Sequence, residues 1–213
     1  MRILAFDTSA AHCAVALLSD GKLSVERLEP MLKGQAERLM GLCQEVLTEG
    51  GTSWRELDAI GVGVGPGNFT GIRISVSAAR GLSVSLGIPA IGVPVFDALA
   101  YGIDGPVIAS IDARQNKIYA KLIGSEDRIE TCTPDSLPDQ WTKPQITCVG
   151  HQAEEIAAQI GGKVAQPGYP LASAIALIAE QEKDRPQTRP APLYVRPPDA
   201  APPRDTAPQI LHQ

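Results

Sequence analysis

Apolar positions along the chain fall into two series that resemble one another. The first opens with Ile3-Leu4-Ala5-Phe6 and stops at Asp7-Thr8-Ser9. Residues 13–18 predict a second strand, Asp20-Gly21 a tight turn, and residues 22–28 a third strand. The period then lengthens. Ala36, Leu39, Met40, Cys43, Val46 and Leu47 share one face of a helix over roughly 35–48, which Gly50-Gly51 ends. A strand over 58–64 runs into a glycine-rich turn and a long helix over 71–86.

The second series repeats the opening. An apolar strand over 107–111 stops at Asp112-Ala113-Arg114, and strands over 117–123 and 128–132 follow. A later strand over 146–149 reaches Gly150 and a helix over about 152–160. Asp7 and Asp112 therefore hold matching places at the ends of matching strands. The helix of 35–48 has no clear counterpart, because only 134–141 lies there and Pro134 and Pro138 limit it.

Three antiparallel strands, a helix, a strand and a helix, occurring twice, is the layout of the actin-like superfold. The expected fold is therefore α/β and two-lobed, a duplicated ribonuclease H-like unit with mixed sheets and flanking helices. The expected division is a first lobe over 1–103, a connector near 101–106, and a smaller second lobe over 104–185 that ends in a helix over about 171–183. Prolines crowd the remainder, so 186–213 is expected to be an extended or disordered tail and not a domain. In this fold the ligand crevice lies between the lobes, faced by the two aspartate-ended hairpins. The fold alone does not choose an activity.

Charge narrows the field. The 213 residues carry a net charge of −5, which argues against a long direct footprint on a polyphosphate backbone. If nucleic acid is involved, another subunit supplies most of the positive charge. No run approaches the roughly 20 apolar residues that span a bilayer, and the opening run is cut by Asp7 too early for a signal-peptide core. A cytoplasmic protein without membrane contact is expected. Cys13, Cys43, Cys132 and Cys148 form no C-x-x-C pair and read as reduced thiols. His12, His151 and His212 are not spaced for joint metal binding, so no metal site is expected and a metallopeptidase lacks its ligands.

The most specific local signal is Gly65-Pro66-Gly67-Asn68-Phe69-Thr70-Gly71-Ile72-Arg73-Ile74. It follows a strand and opens a helix, a natural anion site, with Asn68 or Thr70 as the cap. It lacks the Gly-Lys-Ser/Thr ending of a P-loop, and the same spacing also fits a tight turn that holds no ligand. With Asp7, Thr8 and Ser9, the residues Gly65, Gly67, Asn68, Thr70, Gly71 and Arg73 are the candidates for nucleotide or phosphate contact. The run Ser9-Ala10-Ala11-His12-Cys13 supplies neither the glycine nor the base that actin-like phosphotransferases use, so no catalytic residue is expected. On the 71–86 helix, Ile74, Ala78, Gly81 and Ser85 make a second, small-residue stripe beside Ile72, Val76, Ala79, Leu82 and Leu86. Such a helix packs on two sides. Either both partners lie in its own domain, or the second stripe, with Leu39, Met40 and Cys43 of the preceding helix, forms a subunit interface.

The opening Ile3 to Ser9, the segment Gly65 to Ile74, Asp112-Ala113-Arg114 followed by Tyr119, and Pro192-Leu193-Tyr194-Val195-Arg196 together resemble the landmarks of the TsaB (YeaZ) family. The resemblance runs from residue 1 to about 198. It implies a non-catalytic, actin-like paralogue of the catalytic subunit TsaD. Such a protein pairs with TsaD and with the ATPase TsaE to form N6-threonylcarbamoyladenosine beside the tRNA anticodon, touching tRNA only through the complex. It also implies a homodimer through the first lobe when TsaD is absent. No cofactor is required, with ATP or ADP at a subunit interface the one ligand left open. Many members carry His-Ser-Glu where this chain has Gln35-Ala36-Glu37. The competing readings are a stand-alone actin-like small-molecule kinase and a nucleotide-binding module.

Overall fold

The computed structural model describes all residues except 125–127, 142, 144, 186–187 and 196–213. The first sheet is built from β1 (Arg2–Asp7), β2 (His12–Ser19), β3 (Lys22–Pro30), β4 (Ala59–Gly63) and β5 (Ala90–Val93), in the order β3-β2-β1-β4-β5. The second contains β6 (Val107–Asp112), β7 (Ile118–Ile123), β8 (Ile129–Cys132), β9 (Thr147–Gly150) and β10 (Lys163–Val164), in the order β10-β9-β6-β7-β8. Read from the third strand of each half, the two orders are identical. The echo in the sequence is thus a structural repeat. In each sheet the opening strand pairs antiparallel with the second and parallel with the fourth.

The helices are α1 (Gln35–Glu49), α2 (Phe69–Leu86), α3 (Val95–Ala100), α4 (Ala153–Ile160) and α5 (Leu171–Glu182). The sheet period explains why Ile3 to Phe6 of β1 are apolar without a break. Leu4 and Phe6 point to the face covered by α1 and α2, whereas Ile3 and Ala5 point to the face covered by α5. A strand covered on both sides loses the apolar–polar alternation of a half-exposed one. In the second half the place of α1 holds only a short 3-10 turn, Asp139–Trp141, which seats Trp141 in the core beside Ile108 and Ile118.

The division expected at residues 103 and 185 does not follow the packing. α5 lies beyond the second sheet in sequence yet packs on β1, β2 and β4 of the first. α3 precedes the second sheet yet places Phe96 among Val107, Ala109 and Val149 of that sheet. Each lobe is therefore roofed by a helix from outside its own sheet's stretch of sequence, and α3 and α5 touch. β5 and α3 had no sequence signal of their own, being four and six residues long.

The described part of the Pro-rich stretch, 188–195, is a strap on the first lobe. Pro190 is buried over Gly92 of β5, and the Leu193 N–H donates to the Val64 carbonyl at 2.8 Å. The rest of the expected tail lies outside the described residues. Cys13, Cys43 and Cys148 are buried free thiols, and burial pushes the Cys13 and Cys148 thiols each up to about 11.

Because Phe96 joins the borrowed helix to the second sheet, Phe96→Ala is expected to cost about 3–5 kcal/mol. Urea unfolding followed by circular dichroism measures it, and a loss below about 1 kcal/mol would mean that α3 does not hold the second lobe.

Candidate functional site

The aspartate that ends β1 is fully buried. Asp7 and Thr8 have no exposed surface and Ser9 keeps 3%. One carboxylate oxygen, Asp7 Oδ1, accepts three hydrogen bonds: from the Ser9 N–H at 2.9 Å, from Ser9 Oγ at 2.9 Å, and from His12 Nε2 at 2.8 Å. The other, Oδ2, is buried without a partner among the described residues, pressed against the backbone of Gly63. A Cβ at residue 63 would lie 1.9 Å from it.

What covers the hairpin is the glycine segment itself. The Asn68 N–H donates to the Ser9 carbonyl at 2.6 Å, and Thr8 Oγ1 donates to the Gly71 carbonyl at 2.7 Å. Asn68 caps α2 by accepting the Gly71 N–H at 3.0 Å. A Cβ on Gly67 would meet the Ser9 carbonyl oxygen at 2.3 Å, and one on Gly71 would meet that of Thr8 at 1.9 Å. Glycines that read as room for a phosphate therefore provide room for the chain's own backbone. Gly65 has a φ of +93° and precedes a cis proline, Pro66, which turns the chain from β4 toward α2.

Thr70 and Arg73 are the exposed members of the candidate set, together with the rim of Asn68. Arg73 is already engaged. Its guanidinium carbon stands 3.7 Å from the Phe69 ring centroid, and its Nε donates to the Tyr194 hydroxyl at 2.8 Å. The Phe69 and Tyr194 rings lie 4.9 Å apart. The strap thus closes over the first turn of α2.

The structure splits the interface candidates. Leu39 and Cys43 are buried, facing the sheet with Leu42, Val46 and Leu47, so they belong to the core and not to a surface. An interface reading for these two is corrected: the apolar face of α1 is consumed by β2 and β3. Met40 is 43% exposed on the opposite side. Ile74 and Ala78 are half-buried against the first core, while Gly81 and Ser85 are exposed. Val84, not singled out by the sequence, is 78% exposed on the same side of α2.

The second hairpin contrasts with the first. Asp112 is exposed, its Oδ1 accepts the Arg114 N–H at 2.7 Å, and His151 Nε2 stands 3.9 Å away. Arg114, Gln115 and Asn116 all have positive φ. Among the described residues, no group of three or more His, Cys, Asp and Glu side chains is placed to hold a metal ion. His12, Gly63 and the strap were missed as site residues. The available signals were a histidine five residues after Asp7 on the same hairpin, and an apolar Leu193-Tyr194 pair inside a polar, Pro-rich stretch.

Two glycines of α2 are expected to behave oppositely. Gly71→Ala forces a methyl group into the Thr8 carbonyl and should destabilise by at least about 1–3 kcal/mol. Gly81→Ala meets open space in a helix interior and should stabilise by about 0.5–1 kcal/mol. Denaturant midpoints measure both, and equal midpoints for the two variants would contradict the backbone contact.

Comparison with known proteins agrees with this geometry. Residues 31–178 match the family model described as TsaD, tRNA N6-adenosine threonylcarbamoyltransferase. The chain is 39% identical over 124 residues to the tRNA threonylcarbamoyladenosine biosynthesis protein TsaB of Escherichia coli K12, a match that covers 56% of this chain and 53% of that protein. The chain thus spans about half the length of that curated relative. It is 32% identical to an uncharacterized protein of Mycobacterium tuberculosis H37Rv over 94% of each chain. The solved structure of YeaZ from Pseudomonas aeruginosa superposes with a TM-score of 0.74 at 26% identity, covering 91% of this chain and 99% of that one. A duplicated actin-like architecture, the aspartate hairpin locked to its glycine turn, and these matches lead to one conclusion: the chain belongs to the TsaB (YeaZ) family, within the broader group that the TsaD model describes.

Proposed function

We propose that this chain is a non-catalytic partner and activator of the catalytic paralogue TsaD, working with the ATPase TsaE in forming N6-threonylcarbamoyladenosine beside the tRNA anticodon. The observation that carries this reading is the closed hairpin. An actin-like enzyme needs its first aspartate free to hold a metal or its water. Here Asp7 Oδ1 is saturated by Ser9 and His12, Oδ2 is sealed against Gly63, and backbone from Asn68 to Gly71 covers the loop. A surface role remains open to the lobe, and α2 offers one. Gly81 and Ser85 let another helix approach closely, and Met40 and Val84 are exposed apolar groups.

On this reading the chain needs no cofactor of its own, and ATP or ADP belongs at the interface between subunits. tRNA is held by the complex, in keeping with the net charge of −5. The protein works in the cytoplasm and pairs with itself through the first lobe when TsaD is absent. No helix among the described residues is long and apolar enough to cross a membrane.

Reconstitution tests the reading. The chain is mixed with TsaD and TsaE of the same organism, tRNA and threonylcarbamoyl-adenylate, and modified adenosine is measured with each component left out. Omitting this chain should lower the rate at least about tenfold, and an undiminished rate would defeat the activator role. The face of α2 is tested by Gly81→Arg, which should abolish association measured by size-exclusion chromatography with light scattering, because a guanidinium would be driven into a close helix contact. Unchanged association would place the interface elsewhere.

A further inference from the structure

Beside the exposed side of α2 lies a shallow groove of about 530 Å³, lined by Ser77, Arg80, Gly81, Val84, Ser85 and Arg189. One wall is helix and the other is strap. Its floor at Gly81 is open, with no heavy atom within 4 Å of where a Cβ would stand. Arg80 Nε donates to the Pro190 carbonyl at 2.6 Å, which fixes the half-buried guanidinium between the two walls.

Some guanidinium groups of the lobe are matched to carboxylates, while Arg73 is held by Phe69 and Tyr194 instead. Arg2 holds Glu56, Arg27 holds Glu49, and Arg38 is clamped between Glu29 and Glu45. Neither Arg80 nor Arg189 pairs with a carboxylate among the described residues, although the chain carries 24 acidic and 19 basic side chains. Two unmatched guanidiniums converging on one groove, one of them oriented by the backbone, form a receptor for a planar anion. Val84 is 78% exposed at the rim, which suits an occupant that also brings apolar surface.

We propose that this groove receives a carboxylate side chain, Asp or Glu, carried on an apolar helix of the partner protein, and that Arg80 and Arg189 thereby set which partner docks on α2. The inference rests on the partner reading above and adds the chemistry that the partner must present. The small floor admits a helix closely, the guanidiniums bind its carboxylate bidentately, and Val84 packs against the apolar side of that helix. The strap becomes part of the interface because it supplies Arg189 and orients Arg80.

The test measures the dissociation constant between the full chain and TsaD of the same organism by interferometry at 50 and 500 mM NaCl. Arg189 is exposed, so Arg189→Glu is the primary variant, and Arg80→Glu and Arg80→Lys accompany it. Circular dichroism and thermal melting verify that each is folded. Wild-type binding should weaken several-fold between the two salt concentrations. Arg189→Glu and Arg80→Glu should weaken it at least about tenfold at low salt with a flattened salt response, and Arg80→Lys should lie between. Folded Arg189→Glu that binds within twofold of wild type, with the same salt response, overturns the proposal while the partner reading survives. A wild-type chain that fails to bind TsaD at either salt sinks the partner reading and this inference with it. Competition by millimolar ATP or inorganic phosphate, reaching half displacement, would identify a free-anion site and overturn the carboxylate assignment.

Discussion

Backbone-to-backbone contact between the first hairpin and the turn after β4 governs this edge of the first lobe. Thr8 and Ser9 lie so close to Gly67 and Gly71 that no side-chain carbon fits between them. The two segments exchange hydrogen bonds in both directions, from Thr8 to Gly71 and from Asn68 to Ser9. Beneath this contact, one carboxylate oxygen of the buried Asp7 accepts hydrogen bonds from Ser9 and His12. Desolvating a carboxylate is costly unless such partners are supplied, so hairpin, turn and His12 act as one unit.

The same contact orients α2. Asn68 both caps the helix and bonds the hairpin, and thus the direction of α2 follows from the closure of the loop. The strap then fastens from outside, with Tyr194 against Phe69 and Arg73, and Pro190 beneath Arg80. Anchored at both ends, α2 presents Ser77, Gly81, Val84 and Ser85 to solvent on a rigid support. Binding surfaces held by rigid elements lose less freedom on association. The lobe thus carries a well-positioned helical flank.

The exchange of helices between lobes gives the flank a second support. α5 roofs the far face of the first sheet, and α3, in contact with α5, roofs the second. On these faces neither sheet is covered by the helix that follows its own last strand, since α3 follows β5 and α5 follows β10. Disturbing either lobe therefore reaches the other through Phe96 and the α3–α5 contact, which couples the flank to the whole chain.

By itself the amino-acid sequence determined the repeat, the first four strands of each half, both long helices and the family, because these rest on local period, turn residues and short motifs. It could also show that the hairpin lacks a base and an extra glycine. Only the tertiary structure decided what the glycines are for. A missing Cβ opens space equally for a phosphate or for another stretch of backbone, and the choice depends on Thr8 and Ser9, some sixty residues away in the chain. Leu39 and Cys43 moved from surface to core for a similar reason: an apolar stripe states that a face is buried, but not against what. The packing of α5 on β1 and the strap that makes Arg80 and Arg189 neighbours are contacts across more than a hundred positions, and like the packing of α3 on the second sheet they leave no periodic trace.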